Sequence, residues 1–156
     1  MSVTRAVEPW TVKPLERFIK EAGARLTLLM TPAGQVLAQH GFTRAVDVMA
    51  AAALGAAIVA STAEIARMLE EPRFSALNHQ GQRHGIFIAG FDSPRGRLLA
   101  LVVYGTSSSI GLVQLFFEDF VRELVEACPV TEASGPVLAE NFERELNQSL
   151  ATLFRT

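Results

Sequence analysis

Cysteine occurs once in this 156-residue chain, at Cys128, so no disulfide can close within it, and the pattern suits a reducing compartment. Packing alone must hold the fold. The formal net charge is only −2 and no stretch concentrates Lys and Arg, which excludes the cationic surface that nucleic-acid phosphates demand. No nucleic-acid partner is expected. The longest uncharged apolar run, Val48 to Ala60, falls short of the roughly 20 residues of a membrane span and is rich in alanine. Met1-Ser2-Val3-Thr4-Arg5 leads into no apolar core of a signal peptide. The expectation is a cytoplasmic protein with no membrane span.

Catalytic signatures are missing as well. The chain has no Gly-x-x-x-x-Gly-Lys phosphate loop, no Gly-x-Ser-x-Gly elbow, no His-Glu-x-x-His and no Cys-x-x-Cys. His79 and His84 flank the Gly81-Gln82 turn, but a metal site needs a third or fourth ligand that the sequence does not place beside them. Cys128 has no recognisable base and precedes Pro129, so it reads as a packing residue rather than a nucleophile. Arg67 and Arg83 are of the type that acts as an arginine finger on a GTPase in trans, yet nothing local separates either from a surface arginine. The reading is a chain without catalytic residues, metal or cofactor.

What is present is apolar and helical. Hydrophobic residues make up 49% of the chain, ample for one core, and the length fits one domain with an appendage. The organising stretch runs from Thr43 to Glu71. Its alanine block Ala50-Ala51-Ala52-Ala53 favours helix, Thr43 is placed to cap the start, and Pro72 stops it. One face carries Leu54, Ile58, Ile65 and Leu69 at the spacing of a core stripe. Another carries Ala53, Ala56, Ala57 and Ala60, too small to fill a core and too apolar for an ordinary solvated surface. Either the helix is sandwiched inside its own domain, or its small-residue face meets another polypeptide.

Around this helix the other elements follow in order. After a polar lead, Pro14 to Ala22 is a helix with Leu15, Phe18, Ile19 and Ala22 on one face and Gly23 as its stop. Arg25 to Met30 and Gln35 to His40 are strands joined by Thr31-Pro32-Ala33-Gly34, a type I turn by composition. Beyond Pro72 the pattern predicts strands over Phe74 to Gln80, His84 to Phe91 and Leu98 to Tyr104. The last is continuously apolar, as a central strand is, whereas the first is half polar and suits a sheet edge. Gly105 to Ser109 caps a helix over Ile110 to Ala127, with Val113, Phe117, Phe120, Val121 and Leu124 as its core stripe. Pro129 to Pro136 reads as a linker. Leu138, Phe142, Leu146, Leu150, Leu153 and Phe154 then form the apolar stripe of a terminal amphipathic helix, which docks either on its own domain or on a partner protein.

This order, together with two stretches, resembles the roadblock family, which includes dynein light chains. Leu28-Leu29-Met30-Thr31-Pro32-Ala33-Gly34-Gln35-Val36-Leu37-Ala38 is similar to the family's opening hairpin, and Ser108-Ser109-Ile110-Gly111-Leu112-Val113-Gln114-Leu115 to the start of its last helix. Glu71-Pro72-Arg73-Phe74, Asn78-His79-Gln80-Gly81 and the terminal Leu153-Phe154 pair resemble the bacterial MglB-like branch, which acts on Ras-like small GTPases of the MglA type.

The resemblance implies an α/β/α sandwich, α+β in class, with a five-stranded antiparallel sheet over residues 1–128, a linker over 129–136 and a C-terminal helix over 137–156. First and last helices would share one face and the organising helix would occupy the other. It implies a homodimer joined through the edge strand, at Phe74, Ala76, Asn78 and Gln80. The GTPase would sit on a platform of Ala53, Ala56, Ala57, Ala60, Glu64 and Arg67, and the tail stripe Leu138 to Phe154 would touch it elsewhere. Two positions depart from the family pattern: Glu64, where a small residue is expected, and Gln114, where a basic one is usual. The implied activity is stimulation of GTP hydrolysis without donated catalytic residues, near a cell pole, with a non-activating adaptor as the alternative.

Overall fold

A computed structural model describes residues 4–72, 74–130, 147, 148 and 151. Its core is one antiparallel sheet of six strands in the order β1-β3-β2-β6-β5-β4. The strands are β1 (Thr4–Ala6), β2 (Ala24–Met30), β3 (Val36–His40), β4 (Ala76–Gln80), β5 (His84–Ser93) and β6 (Gly96–Gly105). Helices α1 (Val12–Ala22), α2 (Ala45–Met68) and α3 (Ile110–Ala127) cover it, and a short 3-10 turn over Pro9–Thr11 leads into α1. The linker and tail lie outside the described residues, apart from positions 129, 130, 147, 148 and 151.

The sixth strand corrects the expected five. Thr4-Arg5-Ala6 is too short to carry a period-2 signal, and it becomes a strand only because β3 offers a partner, pairing Thr4 with His40 and Ala6 with Ala38. Elsewhere local chemistry is obeyed. Gly34 donates to the Thr31 carbonyl at 2.9 Å, closing the turn before β3. Gly23 ends α1 in the left-handed region at φ 67°. Ser109 caps α3 by accepting from the Leu112 amide at 3.3 Å. The cap of α2 is a correction: Arg44, without a side-chain cap bond, occupies the position assigned to Thr43.

Alternation along the strands divides the core in two. On one side Leu29, Phe87, Ala100 and Val102 meet α1 and α3 through Leu15, Phe18, Val113, Phe117 and Phe120. Phe18 stacks on Phe120 at 4.9 Å between centroids, and Phe87 meets Phe117 edge-on at 5.2 Å. On the other side Leu28, Met30, Ile88, Leu99 and Leu101 lie under α2. The layers are therefore the expected ones, with β6 central between β2 and β5.

The orientation of α2 is the main correction. Leu54, Ile58, Ile65 and Leu69, assigned to the core, are exposed. The buried line instead runs Ala52, Gly55, Val59, Thr62 and Ala66, of which Ala52, Gly55 and Ala66 are fully covered. Small residues allow the helix axis close to the sheet: a Cβ on Gly55 would stand 2.8 Å from Met30 Cε and 3.0 Å from Leu101 Cδ1. Thus Gly55→Val overpacks the seat and should cost about 1–3 kcal/mol of stability. By contrast Ala57→Leu, on the exposed crest, should stay within about 0.5 kcal/mol in denaturant titrations.

A second prediction concerns the β1–β3 pair. The Thr4 hydroxyl and His40 Nδ1 share a hydrogen bond of 2.7 Å. Burial lowers the His40 pKa below its ordinary value, the Glu16 carboxylate opposing weakly. Below about pH 6.5 the unfolded chain then binds a proton that the folded chain resists, so stability falls as pH drops through that value and levels off below the folded pKa. Stability measured against pH should show this slope in the parent chain, and His40→Gln should flatten it.

Candidate protein-interaction surface

The exposed side of α2 is built from what its seat leaves over. At about 100° per residue, Leu54, Ile58 and Ile65 fall on one flank of the buried line and Ala53, Ala56 and Ala60 on the other. Ala57, Glu64 and Met68 form the crest. Leu54 is 66% exposed and Met68 78%. Among the described residues α2 is also the one helix long and apolar enough to cross a membrane by length and composition, yet it lies along the sheet with one side packed. A helix apolar nearly all round, covered among the described residues on one side only, presents a surface suited to another chain.

The flanks face different ground. Ile58, Val59 and Thr62 overlook a groove of about 220 Å³ whose other wall is Phe74, Ala76, Leu77 and Ile88, so this flank adjoins the sheet edge. Ala56, Ala60 and Ala63 border a recess of about 430 Å³ that reaches Pro32 in the β2–β3 turn and Phe74. The six platform positions are thereby brought onto one helix, with Ala56 half-buried and the others exposed. Glu64 accepts from the guanidinium of Arg67 at 2.8 Å. The cation matching the unexpected carboxylate therefore lies one turn away on the same helix.

The edge strand is where the sequence placed it. Among the described residues β4 pairs with β5 alone and ends the sheet, leaving its other side without a strand. Phe74 precedes the strand and is 46% exposed. Ala76, Asn78 and Gln80 project from the α3 side, and Asn78 and Gln80 turn inward to the Tyr104 hydroxyl, at 2.8 and 2.9 Å. The α2 side of the edge instead carries Leu77, opposite Ile88 of β5, and His79, opposite Ile86, which is 39% exposed. Sequence reasoning missed Ile86, and it took Leu54, Ile58 and Ile65 for core.

Other sequence candidates do not converge. Arg83 and His84 sit at the β4–β5 turn, and the His84 ring lies 3.2 Å from the Arg25 guanidinium. Cys128 is buried behind α3, as a packing residue is. Among the described residues no three His, Cys, Asp or Glu side chains come together as a metal site would require. The tail positions Leu138, Phe142, Leu146, Leu150, Leu153 and Phe154 lie outside the described residues.

An antiparallel sheet between one exposed apolar helix and a helix pair, open at one edge beside that helix, defines an α/β/α sandwich that displays a platform. The chain belongs to the Roadblock/LC7 domain family, whose model matches residues 12–103. Solved structures agree. The gliding protein MglB from Thermus thermophilus is similar at 28% identity over 76% of this chain and 87% of its own, with a TM-score of 0.66. MglB from Myxococcus xanthus is similar at 26% identity over 70% of this chain and 87% of its own, with a TM-score of 0.63. A structure described as MglB with tetrameric arrangement is similar at 28% identity over 75% and 86%, with a TM-score of 0.65. No match was found among curated proteins.

Proposed function

We propose that this chain is an MglB-like regulator that pairs as a homodimer and stimulates GTP hydrolysis by a Ras-like small GTPase of the MglA type. The observation that carries the reading is the continuity of two unsatisfied surfaces, the open edge of β4 and the apolar flank Leu54, Ile58 and Ile65 beside it. The likeness to MglB structures supports it.

Pairing β4 with β4 of a second copy around a two-fold axis extends the sheet and sets the two α2 flanks against each other. Covering each large aliphatic side chain contributes about 1.5–3 kcal/mol. Such an assembly closes at two, because the outer edges are then β1 strands of only three residues, short edges of the kind that resist further pairing. The crests and alanine flanks stay uncovered as a smooth double platform of Ala53, Ala56, Ala57 and Ala60.

On this reading the chain supplies no finger to the nucleotide. Arg67, the arginine on the platform, is engaged by Glu64. The platform acts by holding the GTPase's own switch loops in the hydrolysis-competent arrangement, so that its own groups meet the developing charge. The tail stripe Leu138 to Phe154 would touch the GTPase away from the nucleotide and influence exchange.

The test is single-turnover GTP hydrolysis by an MglA-type GTPase from the same source, with and without this chain. The expected outcome is stimulation of at least about tenfold, lost in Ala60→Arg, whose long cation stands on the smooth platform. Sedimentation should show a dimer that Ile58→Glu converts to monomer. Binding without a change in rate would make the chain an adaptor, and no binding would leave a likeness of fold alone.

A further inference from the structure

Tyr104 is the only tyrosine of the chain, stands near the end of the central strand β6 and is 2% exposed. Its hydroxyl nevertheless reaches the edge strand, meeting Asn78 and Gln80 at 2.8 and 2.9 Å. β6 and β4 are not neighbours, since β5 runs between them. Alternate strands stand roughly 9.6 Å apart, so the phenol must pass over β5 to make these bonds.

A single residue permits that passage. Gln80, Gly85 and Tyr104 lie abreast across the three strands. A Cβ at Gly85 would fall 2.1 Å from the ring Cζ, within the volume of the ring itself. Glycine in a strand interior weakens the strand unless a close approach requires it, and the phenol is that approach. Asn78 is the next residue of β4 on the same face, which brings both amides to one oxygen.

The one phenolic proton stands between two amide oxygens. The Gln80 amide nitrogen donates to the Gly81 carbonyl at 3.2 Å, which leaves Gln80 Oε1 to accept the single phenolic proton. Asn78 Oδ1, at 2.8 Å, is the second acceptor within reach of that same proton. A buried hydroxyl bonded in this way to a strand two places away holds that strand in one register and one twist.

β4 has little else on that face, where Ala76, Asn78 and Gln80 are all exposed overall. We infer that Tyr104, passing over Gly85 and clamping Asn78 and Gln80, is a positioning residue that fixes the geometry of β4 for strand pairing with a second copy of the chain. The inference rests on the homodimer reading above for its consequence, but the clamp itself belongs to the single chain.

Tyr104→Phe removes one oxygen and keeps the ring on Gly85. Amide exchange and the dimer dissociation constant by sedimentation are the readouts. Loss of the clamp should speed exchange in β4 by about tenfold while β2 and β6 keep their protection, and should weaken the dimer by about tenfold. Asn78→Ala with Gln80→Ala should do the same, and adding Tyr104→Phe to that pair should bring no further loss. Unchanged β4 exchange in Tyr104→Phe overturns the inference, as does a loss of protection spread evenly over the sheet, the mark of a core defect. Weakened β4 protection with an unchanged dissociation constant overturns its positioning role. A parent chain monomeric at every concentration refutes the homodimer reading and with it that role, while β4 exchange in the monomer still judges the clamp.

Discussion

The close seat of α2 on the sheet governs the rest of the molecule. Gly55 faces Met30 and Leu101 so closely that an added Cβ would crowd both, and Ala52 and Ala66 are buried on the same side of the helix. Because the small residues are spent inward, the larger apolar ones, Leu54, Ile65 and Met68, point out. Their exposure is thus a consequence of packing. Each large aliphatic side chain left in water forfeits about 1.5–3 kcal/mol, more than the roughly 0–1 kcal/mol of an exposed ion pair such as Glu64–Arg67. The balance on this face favours a covering chain.

On the opposite face the interior is filled, while Leu112 and Leu115 of α3 stay exposed. There the phenylalanines of α1, α3 and β5 fill the space between helices and sheet, and Phe18, Phe87, Phe117 and Phe120 are all buried. Arg17 reaches both Glu21 on its own helix and Glu123 on α3, binding the two helices at their rim. Both layers are therefore packed on their inner sides, and the larger run of exposed aliphatic side chains lies on α2.

The sheet's two ends share that asymmetry. β1 is a three-residue strand, while β4 lies open beside the apolar flank of α2. A chain of this build is open along one side. The Tyr104 hydroxyl adds a link between the two concerns of such a chain, because it ties the central strand of the core to the strand at its margin.

Element order, the central place of β6, the edge place of β4, the inward stripes of α1 and α3, and the turns at Gly23 and Gly34 were legible from the chain alone. They rest on local rules: alternation, helical spacing, capping and backbone freedom. The facing of α2 was not legible, because a helix apolar on nearly every side has no periodicity to show which side is buried, and only the nearness of Met30 and Leu101 decided it. β1 was hidden for a different reason, since three residues gain strand form from a partner rather than from their own pattern. Tyr104 read as the end of an apolar strand, and its bonds across β5 exist because the fold sets Gly85 abreast of it. Sequence by itself determined the helices, the strands other than β1, and that the chain carries apolar surface in excess. Tertiary structure alone decided which part of that surface faces outward, because close packing selects a side only when two elements meet.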